Sequence, residues 1–316
     1  MDSSSRFTGD EDEKDDDKMF KFPQKTLDTL DEILEVVDSV NAKTKINCIG
    51  NHDVRTFEEL NWLGKQEGWE NMHEFIKAKY LPNENLQADC FAYERQITDK
   101  VTVVNIDTFD LSVYGRPHDS EQFKRAMKIL DENNPNEHKA MTRGMDGPFE
   151  KRFVPWTGGV SSDQLEWLDK TLARLDAEKK YVVIATHCPI LPRTISVNND
   201  RWLEVCLTWN FDEVLKILDN HECVQVCLTG HNHAGGRAKS ETGINFLGIK
   251  GLIENSEEGC YGVLKFFDDH MFLEGVGACQ SEVYYYRRNC GACGRIFTPT
   301  KIKHVNCYDC QTVMVR

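Results

Sequence analysis

The sequence predicts an α/β protein in which buried strands and amphipathic helices alternate. Four short apolar runs have the composition of strands, at 46–49, 101–106, 181–185 and 223–228. Three further β-like runs follow them, near 244–253, 260–267 and 271–276. Stretches with helical periodicity separate the first four runs, and this alternation is typical of a layered α/β fold.

The helices are predicted from the spacing of their apolar residues. A capping box at Ser161 and Gln164 opens one helix, whose inward residues we expect to be Leu165, Leu168, Leu172 and Leu175. The other helices are predicted over 24–40, 56–65, 72–80, 119–132 and 210–221. The sequence Asn-Asn-Pro-Asn at 133–136 ends the fourth of these, because proline cannot continue a helix.

Length and charge exclude some classes of protein. The chain has 316 residues, enough for one large domain with or without a small appendage, and a formal net charge of −14. Such an acidic chain is unsuited to binding nucleic acid by broad neutralisation of phosphates, although metal ions would allow small phosphate-bearing substrates. Neither a signal peptide nor an apolar run of roughly 20 residues is present, so we expect a cytoplasmic protein without a membrane partner.

Metal-ligating side chains follow three of the predicted strands. Asn51 comes after the first apolar run, His187 after the third, and His231 and His233 after the fourth. A lone histidine or a Gly-Asn-His-Asp sequence in such a place is more often an ordinary loop or turn. Because the carboxyl ends of strands form the ligand edge of an α/β sheet, the combination predicts a site for Mn, Fe or Zn.

These motifs carry a family resemblance. Gly50-Asn51-His52-Asp53, Thr186-His187 and Gly230-His231-Asn232-His233 resemble the signature of the calcineurin-like metallophosphoesterases. The likeness is closer to one branch, the manganese-dependent ADP-ribose/CDP-alcohol diphosphatases, and runs from about Gly9 to Gly277. The segments that support the closer match are 107–112, 134–136, 156–161, 164–169, 206–210, 230–236 and 251–254.

The resemblance implies a fold and a set of roles. It implies a β-sandwich flanked by helices, with two divalent metals, Mn being expected and Fe, Zn or Mg the alternatives. Asn51, His187 and His231 would then hold one ion, and His233 would help to hold its neighbour. His52 would contact the scissile phosphate, and Asp53 would orient His52 by accepting its second N–H.

One part of the family pattern is missing. The family has an Asp-x-His strand ahead of the Gly-Asn-His motif, and no Asp-x-His precedes Gly50 here. Asp10, which follows Gly9, is the candidate for the bridging carboxylate, and the alternative is that residues 1–18 form only an acidic tail. We place the phosphoesterase domain at 19–278. A chain without the first strand is expected to be poorly stable and weakly active.

The last four cysteines form two Cys-x-x-Cys pairs. Cys290 and Cys293 form the first Cys-x-x-Cys motif, and Cys307 and Cys310 form the second. Thirteen residues separate the two motifs. In a reducing compartment this spacing favours tetrahedral zinc over disulfides, and it predicts a zinc-ribbon-like segment at 284–316. Two roles of this segment are alternatives: it stabilises the C-terminal part of the chain, or it docks a partner. Basic residues, Arg287 among them, leave nucleic acid or an acidic protein as alternative partners.

The resemblance implies a hydrolase of phosphoanhydride bonds in small nucleotide-type substrates such as ADP-ribose or CDP-alcohols. Among enzymatic functions, the alternative to this hydrolase is a phosphomonoesterase or a cyclic-nucleotide phosphodiesterase. The missing Asp-x-His favours a third hypothesis, a catalytically impaired relative that acts as a binding module.

Overall fold

The computed structural model describes residues 39–54, 90–195 and 201–299, together with Glu32, Glu35 and Val36. Several predictions fall outside these residues. They concern the helices at 56–65 and 72–80, most of the helix at 24–40, the ligand candidate Asp10, and the second cysteine pair, Cys307 and Cys310.

A mixed six-stranded sheet forms the centre of the described part. Its strands are β1 (Tyr93–Gln96), β2 (Val101–Ile106), β3 (Tyr181–Thr186), β4 (Val224–Thr229), β5 (Gly236–Lys239) and β6 (Asn245–Gly248). Their order in the sheet is β1-β2-β3-β4-β6-β5. Strands β2, β3, β4 and β6 are parallel, whereas β1 and β5 pair antiparallel at the two sides. The carboxyl ends of the four parallel strands therefore lie along one edge.

A second sheet packs against one face of the first. It is antiparallel and consists of β7 (Cys260–Phe266), β8 (His270–Gly277) and β9 (Glu282–Tyr285). One buried cluster joins Val183 and Val226 of the large sheet to Met271 and Tyr284 of the small one. The predicted sandwich of two sheets is therefore present, with apolar side chains filling the space between them.

Two helices, α2 (Ser162–Ala177) and α3 (Phe211–Asn220), cover the opposite face of the large sheet. A third helix, α1 (Glu121–Asn133), packs in a separate buried cluster with loop residues such as Met145 and Trp209. Helix α2 begins as predicted, since the Ser161 hydroxyl accepts the N–H of Gln164. Its residues Leu168 and Leu172 are fully buried against Val182 and Ile184 of β3. Among the described residues, no helix has the length and hydrophobicity needed to cross a membrane.

The strand predicted at 46–49 does not form. These residues belong to no ladder, and residues 51–54 directly after them are helical. Strand β2 already pairs with β1 on one side and with β3 on the other, so residues 46–49 cannot pair with β2. The segment is instead held by side chains, because the Tyr93 hydroxyl donates to the Asn47 carbonyl and accepts the Asn47 N–H. Apolar composition alone overestimated its burial.

The predicted boundary at 284 falls inside the sandwich. Strand β9 crosses it, and Tyr286 stacks on Tyr181 with ring centroids 3.8 Å apart. The Arg287 side chain is also buried, with 2% of its surface exposed, and it donates to backbone carbonyls. Arg287 is therefore part of the core and is not available to nucleic acid, which removes it from the basic residues that left this alternative open.

His221 joins helix α2 to the segment before β4. Its Nδ1 lies 2.7 Å from Asp176 Oδ2, and its Nε2 lies 3.0 Å from Asp169 Oδ1. The hydrogen bond to Asp176 is the main reason that the pKa of His221 is raised above its ordinary value. The protonated form is therefore favoured in the folded protein.

We predict that His221→Gln destabilises the protein more at pH 6 than at pH 9. A histidine whose pKa rises on folding contributes stability fully below its unfolded-state pKa of about 6.5 and loses that contribution as the pH passes the folded-state value. At pH 6 the free energy of unfolding should fall by about 1–2 kcal/mol, measured by urea denaturation. An equal loss at both pH values would contradict a charged His221.

Candidate metal centre

Two neighbouring parallel strands bring histidines to one edge of the sheet. Thr186, the last residue of β3, lies opposite Thr229, the last residue of β4. His187 follows the first directly, and His231 follows the second after one glycine. Asn51 reaches the same edge from a different segment, as the first residue of the helical turn at 51–54. The sheet and this turn together position three side chains that are distant in sequence.

The three side chains converge on one point. His187 Nε2 lies 3.0 Å from Asn51 Oδ1 and 3.2 Å from His231 Nδ1. The remaining side of this triangle, from His231 Nδ1 to Asn51 Oδ1, is also 3.2 Å. Ligand atoms about 2.1 Å from one ion and at right angles to each other lie about 3.0 Å apart. The separations therefore fit three neighbouring ligands of a single cation.

Hydrogen bonding alone does not account for this triangle. A neutral imidazole carries one N–H, and the amide oxygen of Asn51 only accepts. His187 and His231 can therefore supply at most two of the three hydrogen bonds that the triangle needs. A cation would bind all three lone pairs at once. The donor set, two imidazole nitrogens and one amide oxygen, suits Mn, Fe or Zn.

Burial keeps both histidines neutral. Removal from water, together with smaller contributions from the nearby His52 and His233, lowers the pKa of His187 to about 4. Burial likewise holds the pKa of His231 well below its ordinary range, with His187 the next contribution. Near neutral pH each ring therefore has a lone pair available, as a metal ligand must.

His231 is held at a local cost. Its backbone adopts φ of 60°, a left-handed conformation that costs a non-glycine residue about 1–3 kcal/mol. Its other ring nitrogen, Nε2, is buried and has no hydrogen-bond partner among the described residues. Such strain and such an orphaned polar atom are typical of a functional position, where ligand binding at Nδ1 would offset the cost.

Gly50 makes room for the His187 ring. A Cβ atom at Gly50 would lie 2.8 Å from His187 Cε1 and 2.9 Å from His187 Nδ1. Carbon atoms prefer separations of about 3.5–4.0 Å, so any larger residue at this position would push the imidazole away from Asn51. The glycine of the Gly-Asn-His motif is therefore a packing requirement of the site.

The other predicted residues surround the triangle without joining it. His233 Nδ1 is 2.7 Å from Glu254 Oε1, and both side chains are about half exposed. His52 is exposed. Asp53 Oδ2 accepts the N–H of Gly50 at 2.8 Å, and among the described residues no hydrogen bond joins Asp53 to His52. This carboxylate therefore fixes the turn that carries Asn51, and the orienting role of Asp53 towards His52 stays a prediction.

Sequence reasoning missed two supports of the site. Glu254 lies in the segment 251–254 that resembles the family, yet nothing in the sequence alone identified it as the partner of His233. Asp107 lies directly after β2, and its two carboxylate oxygens accept the N–H groups of Phe91 and Phe109. Phe109 in turn lies 5.9 Å from the His187 ring. The signal that could have identified Asp107 is its position directly after the apolar run at 101–106.

Known proteins resemble the chain in both sequence and structure, although no family model matches it. The human manganese-dependent ADP-ribose/CDP-alcohol diphosphatase is 31% identical over 266 residues, which cover 81% of this chain and 72% of that protein. The mouse protein of the same name is 28% identical over 274 residues, covering 80% and 77%.

A solved structure agrees with these relatives. The crystal structure of a dimetal phosphatase from Danio rerio superposes with a TM-score of 0.70 at 26% identity, covering 85% of this chain and 80% of that chain. Its fold matches the sandwich described above, at the edge of which the two histidines and the asparagine meet. By the extent of this likeness, the chain belongs to the family of manganese-dependent ADP-ribose/CDP-alcohol diphosphatases, which are metal-dependent hydrolases.

Proposed function

We propose that the chain hydrolyses the phosphoanhydride bond of nucleoside-diphosphate-linked molecules such as ADP-ribose or CDP-alcohols, with divalent metal ions, Mn foremost. The observation that carries this proposal is the triangle of Asn51 Oδ1, His187 Nε2 and His231 Nδ1, whose sides measure 3.0–3.2 Å. The substrate class is taken from the names of the relatives.

Each predicted ligand has a place in this proposal. Asn51, His187 and His231 would hold one ion, His233 would help to hold its neighbour, and Asp10 is the candidate carboxylate that bridges the two. The Glu254 carboxylate accepts a hydrogen from His233 Nδ1, which leaves His233 Nε2 with the lone pair. When bound, such ions polarise phosphoryl oxygens and supply hydroxide near neutral pH.

The charge of the ligands favours an anionic substrate. Asn51, His187 and His231 are all neutral, so they offset none of the positive charge of an ion that they hold. A diphosphate is therefore attracted to this edge even though the whole chain carries a formal net charge of −14. The exposed His52 stands next to Asn51 on the solvent side, where its ring is free to donate a hydrogen bond to a phosphoryl oxygen.

Substrate choice separates this proposal from the alternatives. Purified chain with Mn should cleave ADP-ribose to AMP and ribose phosphate, detected by chromatography, and should cleave a CDP-alcohol to CMP. Turnover of p-nitrophenyl phosphate or a cyclic nucleotide should be slower by at least about tenfold in kcat/KM. Preference for either of these would favour a phosphomonoesterase or cyclic phosphodiesterase. Mn binding without turnover of any of them would favour a binding module.

A further inference from the structure

The loop that follows β6 reaches the same edge of the sheet as the histidines. Strand β6 runs parallel to β4, and its last residue, Gly248, lies opposite Thr229. Because His231 follows Thr229 after one glycine, the chain leaves β6 beside the candidate metal centre. The 249–255 loop is therefore the contribution of this parallel strand to the edge.

Two hydrogen bonds and one close packing contact hold the 249–255 loop against His233. The Gly251 N–H donates to the His233 carbonyl at 3.0 Å, and His233 Nδ1 lies 2.7 Å from Glu254 Oε1. A Cβ atom at Gly251 would lie 2.9 Å from His233 Cγ, so the loop backbone packs directly on the imidazole. The position of the loop relative to this predicted ligand is thus fixed by the fold.

A short 3₁₀ turn, Ile253–Asn255, closes the same loop. The Asn255 N–H donates to the Leu252 carbonyl at 3.1 Å, and the Asn255 side-chain amide donates to the Gly251 carbonyl at 2.7 Å. These bonds fix the backbone on both sides of Leu252 and Ile253. The turn therefore presents these two side chains in a defined place.

Both of these aliphatic side chains are exposed to solvent. Leu252 is 59% exposed and Ile253 is 77% exposed, the largest value for any large apolar residue in the described part of the chain. A single exposed aliphatic residue is ordinary in a folded protein. Two in succession, on a turn that is hydrogen-bonded to a predicted metal ligand, form an apolar surface beside the site, and covering such a surface is favourable.

The chemistry of the substrate class limits what this surface contacts. In a nucleoside diphosphate linked to a sugar or an alcohol, the phosphates are charged and the ribose carries hydroxyl groups. The nucleobase, in contrast, has two flat ring faces that pack well against apolar side chains. The base is therefore the part of the substrate that suits Leu252 and Ile253.

We propose that Leu252 and Ile253 form a platform for the nucleobase of the substrate and determine its specificity for nucleotides. This inference rests on the proposed function, because the nucleotide is taken from it. The turn that carries the platform also holds His233, so the base contact and the metal centre keep a fixed separation. The platform binds a part of the substrate that does not react.

The two products of ADP-ribose hydrolysis separate the base from the phosphate. AMP carries a phosphate and a base, whereas ribose 5-phosphate carries a phosphate and a sugar without a base. In the Mn-loaded full-length chain, the double substitution Leu252→Ser and Ile253→Ser should raise the Kd for AMP by at least about tenfold. The Kd for ribose 5-phosphate should stay within about twofold of that of the parent chain, measured by calorimetric titration.

Ile97→Ser provides the matched control. Ile97 is 44% exposed and its N–H donates to the Val101 carbonyl at the amino end of β2, on the edge opposite the histidines. This control should change neither Kd, and the conservative variant Ile253→Leu should retain the AMP affinity. Unchanged AMP affinity in the double variant, equal losses for AMP and ribose 5-phosphate, or a parent chain that does not prefer AMP would each overturn the platform.

Steady-state kinetics distinguish a failure of this inference from a failure of the proposed function. Because the platform contacts substrate and transition state alike, the double variant should raise KM for ADP-ribose by about tenfold and keep kcat within about threefold. If the parent chain hydrolyses ADP-ribose and the double variant keeps its KM, the platform is wrong while the proposed function stands. If the parent chain does not hydrolyse it, the proposed function fails, and a selective loss of AMP affinity still supports the platform.

Discussion

Replacing His187 by alanine should abolish Mn-dependent hydrolysis of ADP-ribose while leaving the fold intact. His187 Nε2 contacts both Asn51 and His231, so its loss removes one of the three corners of the triangle. Loss of a single transition-state hydrogen-bond donor costs about 10²–10³-fold in kcat, and loss of a ligand to the reacting ion should exceed that. Steady-state kinetics across a Mn titration measure the effect, and circular dichroism checks the fold.

His138→Ala provides the matched control. His138 is exposed, and its ring accepts the nearby Ala140 N–H at 3.4 Å. We expect kcat within twofold of the parent chain. Full activity in His187→Ala would refute the metal assignment, whereas equal losses in both variants would point to a nonspecific effect of removing histidine.

Gly50→Ala should weaken Mn binding without removing any ligand. The new Cβ would lie 2.8 Å from His187 Cε1, which forces the ring away from Asn51. We expect the Mn concentration for half-maximal activity to rise by at least about tenfold, corresponding to about 1.4 kcal/mol. Because all three ligands remain, high Mn should restore part of the activity, which distinguishes this variant from His187→Ala.

Gly230 offers a control beside the same ring. A Cβ atom at Gly230 would come no closer to His187 than 3.6 Å, an ordinary van der Waals contact. Gly230→Ala should therefore shift the Mn requirement much less than Gly50→Ala. Equal shifts in the two variants would mean that the approach of the His187 ring to residue 50 does not limit metal binding.

Strands and helices were predicted correctly from the sequence where the local pattern and the tertiary packing agree. Strands β2, β3 and β4 are buried on both faces, so their apolar runs were clear signals. Helix α2 was recognisable from its capping box and its leucine spacing. The run at 46–49 did not form a strand, and the Tyr93 hydroxyl binds the Asn47 backbone instead, a tertiary contact about which local composition carries no information.

The sequence predicted which residues meet at the site, but it did not predict the contacts that each of them makes. Placing His187 and His231 after parallel strands implied that they meet, since those strand ends share one edge. The sequence could not show that Asp53 binds Gly50, nor that His233 pairs with Glu254, because both contacts depend on the exact path of loops. Arg287 was misjudged for a similar reason, since only tertiary contacts reveal a buried guanidinium bound to carbonyls.

Anomalous diffraction at the manganese edge tests the central claim most directly. Crystals of the full chain soaked in Mn should show a peak within coordinating distance of Asn51 Oδ1, His187 Nε2 and His231 Nδ1. The same peak should disappear from crystals of His231→Ala, which lack one ligand, and should weaken in Gly50→Ala. A manganese peak elsewhere, with the triangle of asparagine and histidines left without an ion, would contradict the assignment of this edge as the metal centre.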